Sequence, residues 1–154
     1  MKIRSIACAF LLILTAVMPA SAFAEGASVQ TRQKWMQEIR NYKYEFFTKK
    51  LKLTEQQQEA FFPAYEAMEK AIFTINKEAR DLSNRIAKEA SATDTEYEAA
   101  ATAMARVKQR EGNIEMEYFN RFEKILTKKQ LFLLKRAEDE FTQNMLTHHR
   151  RASK

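Results

Sequence analysis

The sequence predicts an all-α protein of four helices, a bent long helical hairpin, and three observations carry the prediction. The 154-residue chain contains only two glycines and two prolines. Sandwiches, barrels and hairpin-rich folds need residues tolerant of positive φ at each reversal, so this scarcity excludes them. It also leaves no glycine-rich phosphate loop. Apolar residues then recur at spacings of three and four in four successive segments. Finally, the breaks carry helix-capping residues.

Residues 1–24 read as a secretory signal. Lys2 and Arg4 form a positive start, an apolar run extends from Ile6 to Met18, and Pro19 ends it. The run is too short for a membrane span. Small residues place cleavage after Ala24, with Ala20-Ser21-Ala22 as a second site. The single cysteine, Cys8, leaves with the leader, so the mature chain has neither a disulfide nor a thiolate. Export from the cytoplasm follows. The mature domain spans 25–147, and 148–154 form a polar basic tail expected to fray. Twenty-four basic against 20 acidic side chains remain after cleavage, a mild excess. Outside the cytoplasm that excess does not point to nucleic acid.

The first helix is predicted over about 29–50, from Trp35, Ile39, Tyr42 and Phe46, widened by Met36 and Phe47. It ends in Lys49 and Lys50, where cations complement the helix dipole. The second opens at Thr54, where Thr54 and Gln57 form a capping box. Its seam runs Phe61, Tyr65, Met68, Ile72, Ile75, Ala79, Leu82, Ile86, alternating steps of four and three. That 3.5-residue period suits packing against another helix. Carried to about residue 90, the helix is on the order of 55 Å long. Pro63 lies inside it and predicts a bend over residues 59–62.

Ser91-Ala92-Thr93-Asp94-Thr95 is the strong break, and Thr95 with Glu98 offers a capping box for the third helix. That helix is predicted to run to about Leu126 through Tyr97, Ala101, Met104, Val107, Ile114, Tyr118, Phe122 and Ile125. Glu111 and Gly112 interrupt its apolar face, and Gly112 marks a close approach or a bend. The fourth helix begins at Thr127 with a third box, Thr127 with Gln130, and Leu126 and Leu131 at staple positions. Leu134, Ala137, Phe141 and Met145 continue its stripe.

Two helices thus open with the same phrase. Leu53-Thr54-Glu55-Gln56-Gln57 and Leu126-Thr127-Lys128-Lys129-Gln130 both read LTxxQ, 73 residues apart. With the leader and the order of long helix, polar break and long helix, the chain resembles the Spy/CpxP family of small periplasmic proteins, over roughly residues 50–146. The resemblance implies a thin, cradle-shaped homodimer of bent hairpins. It implies an ATP-independent chaperone that holds unfolded or misfolded periplasmic proteins during envelope stress. Its alternative is a regulatory adaptor or metal-responsive sensor that meets a membrane sensor protein. Leu53, Thr54, Gln57, Leu126, Thr127 and Gln130 carry over by motif, as caps and not as chemistry. Residues 25–32 lack the His and Met that some members carry there, which weighs against the metal-sensing branch.

No catalytic constellation is legible. The mature serines, Ser28, Ser83, Ser91 and Ser153, have no base near them in sequence. His148 and His149 are adjacent in the tail, where two rings rarely meet one ion, so no metal site and no cofactor are expected. Acidic pairs such as Glu115 and Glu117 read as surface partners of nearby Lys and Arg. We therefore expect no enzymatic activity. The feature left over is aromatic residues mixed with cations. Arg40, Lys43, Phe46 and Phe47 on the first helix and Phe62, Phe73 and Lys77 on the second form the expected client-binding face. Phe62 and Phe73 stand off the seam, as Phe119 and Phe132 stand beside theirs. In a thin layer such side chains line a second surface, and burial at a dimer interface is the competing use.

Overall fold

A computed structural model describes residues 29–152, with side chains for 31–147. The leader, Cys8 and the side chains of His148 and His149 lie outside the described residues. Four helices and no strand are present among those described: α1 (Val29–Leu51), α2 (Glu55–Lys88), α3 (Asp94–Phe122) and α4 (Lys128–Ala152). α2 packs along α3 and α1 along α4. None of these helices is long and apolar enough to cross a membrane.

Each boundary has a local cause. α1 ends with Lys52 in the left-handed region (φ 52°) and the Leu53 N–H donating to the Thr48 carbonyl at 3.1 Å. This is a C-terminal cap of the kind usually built on glycine. α2 opens on the expected box, with Thr54 Oγ1 accepting from Gln57 N–H at 3.2 Å. It runs unbroken through Pro63 and stops at Lys88, two residues before the predicted end. α3 is capped by Thr93 with Glu96, not by Thr95 with Glu98. Both registers fit the capping pattern. The observed one lets Glu96 accept from Thr93 N–H at 2.8 Å, and those bonds hold its carboxyl below the usual range. α3 ends at Phe122 and not Leu126, because residues 123–126 tighten into a turn. At the far end, α4 continues as helix to Ala152, through most of the tail predicted to fray.

The core sits where the turns are. The α2 seam is buried as predicted at Phe61, Tyr65, Met68, Ile72, Ile75, Ala79 and Ile86, with Leu82 half-buried. Phe61 rests 5.1 Å from Phe122 and 5.4 Å from Tyr65, and Phe47 meets Tyr65 edge-on at 5.3 Å. Phe141 brings α4 into the same cluster, 6.0 Å from Phe47. Such ring pairs add about 0.5–1.5 kcal/mol each beyond their buried area.

The first half of α3 differs from the prediction and the second half keeps it. Tyr97, Ala101 and Met104 face solvent while Ala100 is buried and Ala103 half-buried; further on, Val107, Ile114 and Ile125 are half-buried and Tyr118 and Phe122 buried as predicted, with Glu111 buried among them. In its first half the helix turns its small side chains towards α2. Two helices approach more closely over alanines, and bulky groups are left outside.

Candidate functional site: a two-motif clasp and an exposed apolar flank

The two LTxxQ segments form one structure. Gln57 Oε1 accepts from its own Thr54 N–H at 3.1 Å, and Gln130 Oε1 from its own Thr127 N–H at 2.9 Å. The amides also bond each other in both directions: Gln57 Nε2 donates to Gln130 Oε1 at 2.9 Å, and Gln130 Nε2 to Gln57 Oε1 at 3.0 Å. The second hydrogen on each amide crosses to the opposite turn. Gln57 Nε2 donates to the Ile125 carbonyl at 3.0 Å, and Gln130 Nε2 to the Leu51 carbonyl at 3.1 Å. Each glutamine thus caps the start of its own helix and the end of a helix in the other hairpin.

That geometry explains the residue types. Two donors and two acceptors are needed at each centre, and an amide supplies both. Glutamate caps equally well at this position, but it donates nothing when ionised, and two carboxylates at this separation repel. Threonine accepts the first helical N–H. Leu53 and Leu126 are buried on the outer side of each cap, sealing the turn against the core. The motif residues are therefore structural and offer no reactive group.

The expected client-binding face is only partly a surface. Phe47 and Phe62 are buried, and Phe62 stacks on Tyr44 with ring centroids 3.9 Å apart. Lys43 is only 6% exposed; its ammonium bonds Glu69 at 2.5 Å and lies 5.6 Å from the Tyr65 ring centre. Phe46 is half-buried against Phe141. These four belong to the packing of α1 on α2 and α4. The α2 pattern is complete without Phe62, but α1 covers the flank of α2 next to the seam. Arg40 remains at the surface, held 3.3 Å from Glu66. Phe73 and Lys77 remain exposed one turn apart on α2, with Lys77 paired to Asp81.

A second apolar surface runs along the outer side of α3, where Tyr97 and Met104 belong to the predicted stripe and Phe119 stands beside it. Tyr97, Met104, Met116 and Phe119 are exposed along α3, Met116 to 60%. Phe132 on α4 is 65% exposed, and Met36 and Tyr42 are open on α1. Lys108 lies on the same side of the helix, whereas Arg106 and Arg110 project from the other side, Arg110 towards Glu78 of α2. The signal lies in the sequence: two apolar stripes run along α3, about a quarter-turn apart. The fold buries the stripe that carries Ala100, Val107, Ile114, Tyr118 and Phe122 and leaves Tyr97, Met104, Met116 and Phe119 outside.

Where the four helices meet, polar side chains are buried in partnership. Tyr65 Oη donates to Glu138 Oε1 at 3.0 Å, and Lys135 lies 3.3 Å from the same carboxylate. Burial pushes both Tyr65 and Glu138 upward, so the tyrosine stays protonated as a donor. Among the described residues no group of three or more His, Cys, Asp or Glu side chains is gathered for a metal ion.

Comparison with protein-family models, with curated proteins and with solved structures finds no match to this chain.

Proposed function

We propose that the chain is a periplasmic, ATP-independent chaperone-like protein, a bent Spy/CpxP-like hairpin acting as a homodimer. It holds unfolded or misfolded periplasmic proteins by apolar contact and charge. The observation that carries this reading is the exposed flank of α3, where Tyr97, Met104, Met116 and Phe119 stand outside a body with its own complete core. Unfolded chains present apolar groups without fixed order. Methionine and aromatic side chains adapt to such targets because thioethers are flexible and polarizable and rings offer broad faces. Lys108 on this flank and the net positive charge of the chain draw in clients at long range without sequence readout. Phe73 and Lys77 extend the same chemistry on α2. The paired LTxxQ caps support the family assignment within this proposal.

The test is light scattering from an aggregating client, without nucleotide. Suppression at a one-to-one ratio is expected. Met104→Ser, Met116→Ser and Phe119→Ser combined are expected to weaken it several-fold while the circular dichroism stays helical. No suppression by the unaltered chain would sink the chaperone reading and favour an adaptor for a membrane sensor protein.

A further inference from the structure

Glu111 on α3 is a buried carboxylate that belongs to neither the clasp nor the exposed flank. Its side chain is 0% exposed. Oε1 accepts from Asn76 Nδ2 on α2 at 2.6 Å, and Oε2 lies 2.9 Å from Lys108 Nζ, one turn back on α3. Lys108 is itself 65% exposed. The cation keeps its water while the carboxylate loses it, an unequal exchange for a buried pair.

The location gives this carboxylate leverage. The continuous apolar cluster extends from the clasp as far as Ile72 on α2 and Tyr118 on α3, with Ile114 at its margin. Beyond that point α2 and α3 continue as a pair, sharing Ile75, Ala79, Ile86 and Ala100. Glu111 sits at the boundary, level with Asn76. Beside it, Gly112 has open space around the place of a Cβ, with nothing within 4 Å. A glycine, the weakest helix former after proline, thus stands next to the buried charge on the exposed side of the helix.

We infer that Glu111 is a proton-operated joint: protonated, it lets the α2–α3 arm pack onto the four-helix body, and ionised, it favours local opening of that arm. The inference stands independently of the client reading.

The sign follows from the surroundings. On α3, Lys108 favours the charged form and Glu115 opposes it. From α2 comes the neutral amide of Asn76, with the Arg110–Glu78 pair bridging the helices at 3.1 Å nearby. Burial dominates, with the Glu115 charge second, and the carboxyl is raised to about 7. A carboxyl raised in the folded state favours packing at low pH, where it is neutral in both states. That contribution is lost as pH rises through 7.

Amide hydrogen exchange on the full chain between pH 6 and 8, corrected for intrinsic rates, tests the joint. The arm's opening equilibrium is expected to rise about tenfold across that window relative to amides near Phe61 and Phe122. Glu111→Gln, which keeps the acceptor for Asn76 and cannot ionise, is expected to flatten the response. An arm-to-body ratio that does not change with pH, or changes equally in Glu111→Gln, overturns the inference. Should the variant not fold, the carboxyl carbon resonance of Glu111 in the unaltered chain decides. A midpoint near 7 supports the joint, and one below 5 overturns it.

Discussion

The two ends of the α2–α3 hairpin handle buried polarity in opposite ways. At the clasp, Gln57 and Gln130 bring equal numbers of donors and acceptors, and every one of them is used between the two turns. Neither group carries charge, so the joint is indifferent to pH. Along the arm, Glu111 brings a charge into a place with one amide and one solvent-exposed ammonium to meet it. Around the clasp lie four helices and a continuous aromatic core, whereas the arm has alanines and isolated aliphatics. One end is built to stay shut and the other to be marginal. The client holding proposed above would use both, a rigid frame and a compliant extension.

The contrast can be broken by mutation, beginning with the core. Phe61→Ala at the centre of the ring cluster should cost about 3–5 kcal/mol in denaturant unfolding. Ile86→Ala in the arm should cost less, about 2 kcal/mol, because fewer neighbours surround the cavity. Equal losses would mean the arm is as well packed as the body. Smaller effects come from the caps. Thr54→Ala and Thr127→Ala should each lower stability by about 0.5–2 kcal/mol; two neutral outcomes would show that the caps contribute nothing.

Two substitutions should stabilise. Lys52 occupies the left-handed region that costs a non-glycine residue about 1–2 kcal/mol. Lys52→Gly should therefore raise the melting temperature if relief of that strain exceeds the added entropy of the unfolded chain. Gly112→Ala meets no atom and should gain about 0.4–1 kcal/mol. Its exchange readout sharpens the comparison, since the gain should appear in arm amides and leave those near Phe61 unchanged.

Much of this architecture is legible in the amino-acid sequence. The α2 seam, the Thr54 and Thr127 caps and the helix order follow from local rules, because a 3.5-residue period and a capping box are decided within a few residues. The partnership of the caps is not legible there. Sequence shows two similar phrases, but only the fold shows that each glutamine reaches the other's turn. The register of the first half of α3 escapes sequence reasoning for a related reason, while Ile114, Tyr118 and Phe122 lie inward as their spacing predicts. Two apolar stripes are present, and helix propensity does not say which one faces a neighbour. The closeness of α2 decides in favour of Ala100 and Ala103 over Tyr97 and Met104. Phe62 reads as surface in the sequence because the covering helix, α1, enters through tertiary packing alone; Phe47 widens the α1 stripe, and the same packing buries it against Tyr65 and Phe141. Glu111 reads as an interruption of a stripe; its burial depends on Asn76 arriving from α2.

The central claim is that the two LTxxQ motifs act as a single joint, and a double-mutant cycle on its two glutamines tests it most directly. Gln57→Ala and Gln130→Ala each leave the partner amide and a turn carbonyl without their bonds, at about 1–3 kcal/mol for each buried group left unpaired. Once one is gone, losing the other should cost less, with a coupling of about 0.5–3 kcal/mol in urea unfolding. Strictly additive losses would show that the motifs cap their own helices separately, and the clasp would be contradicted.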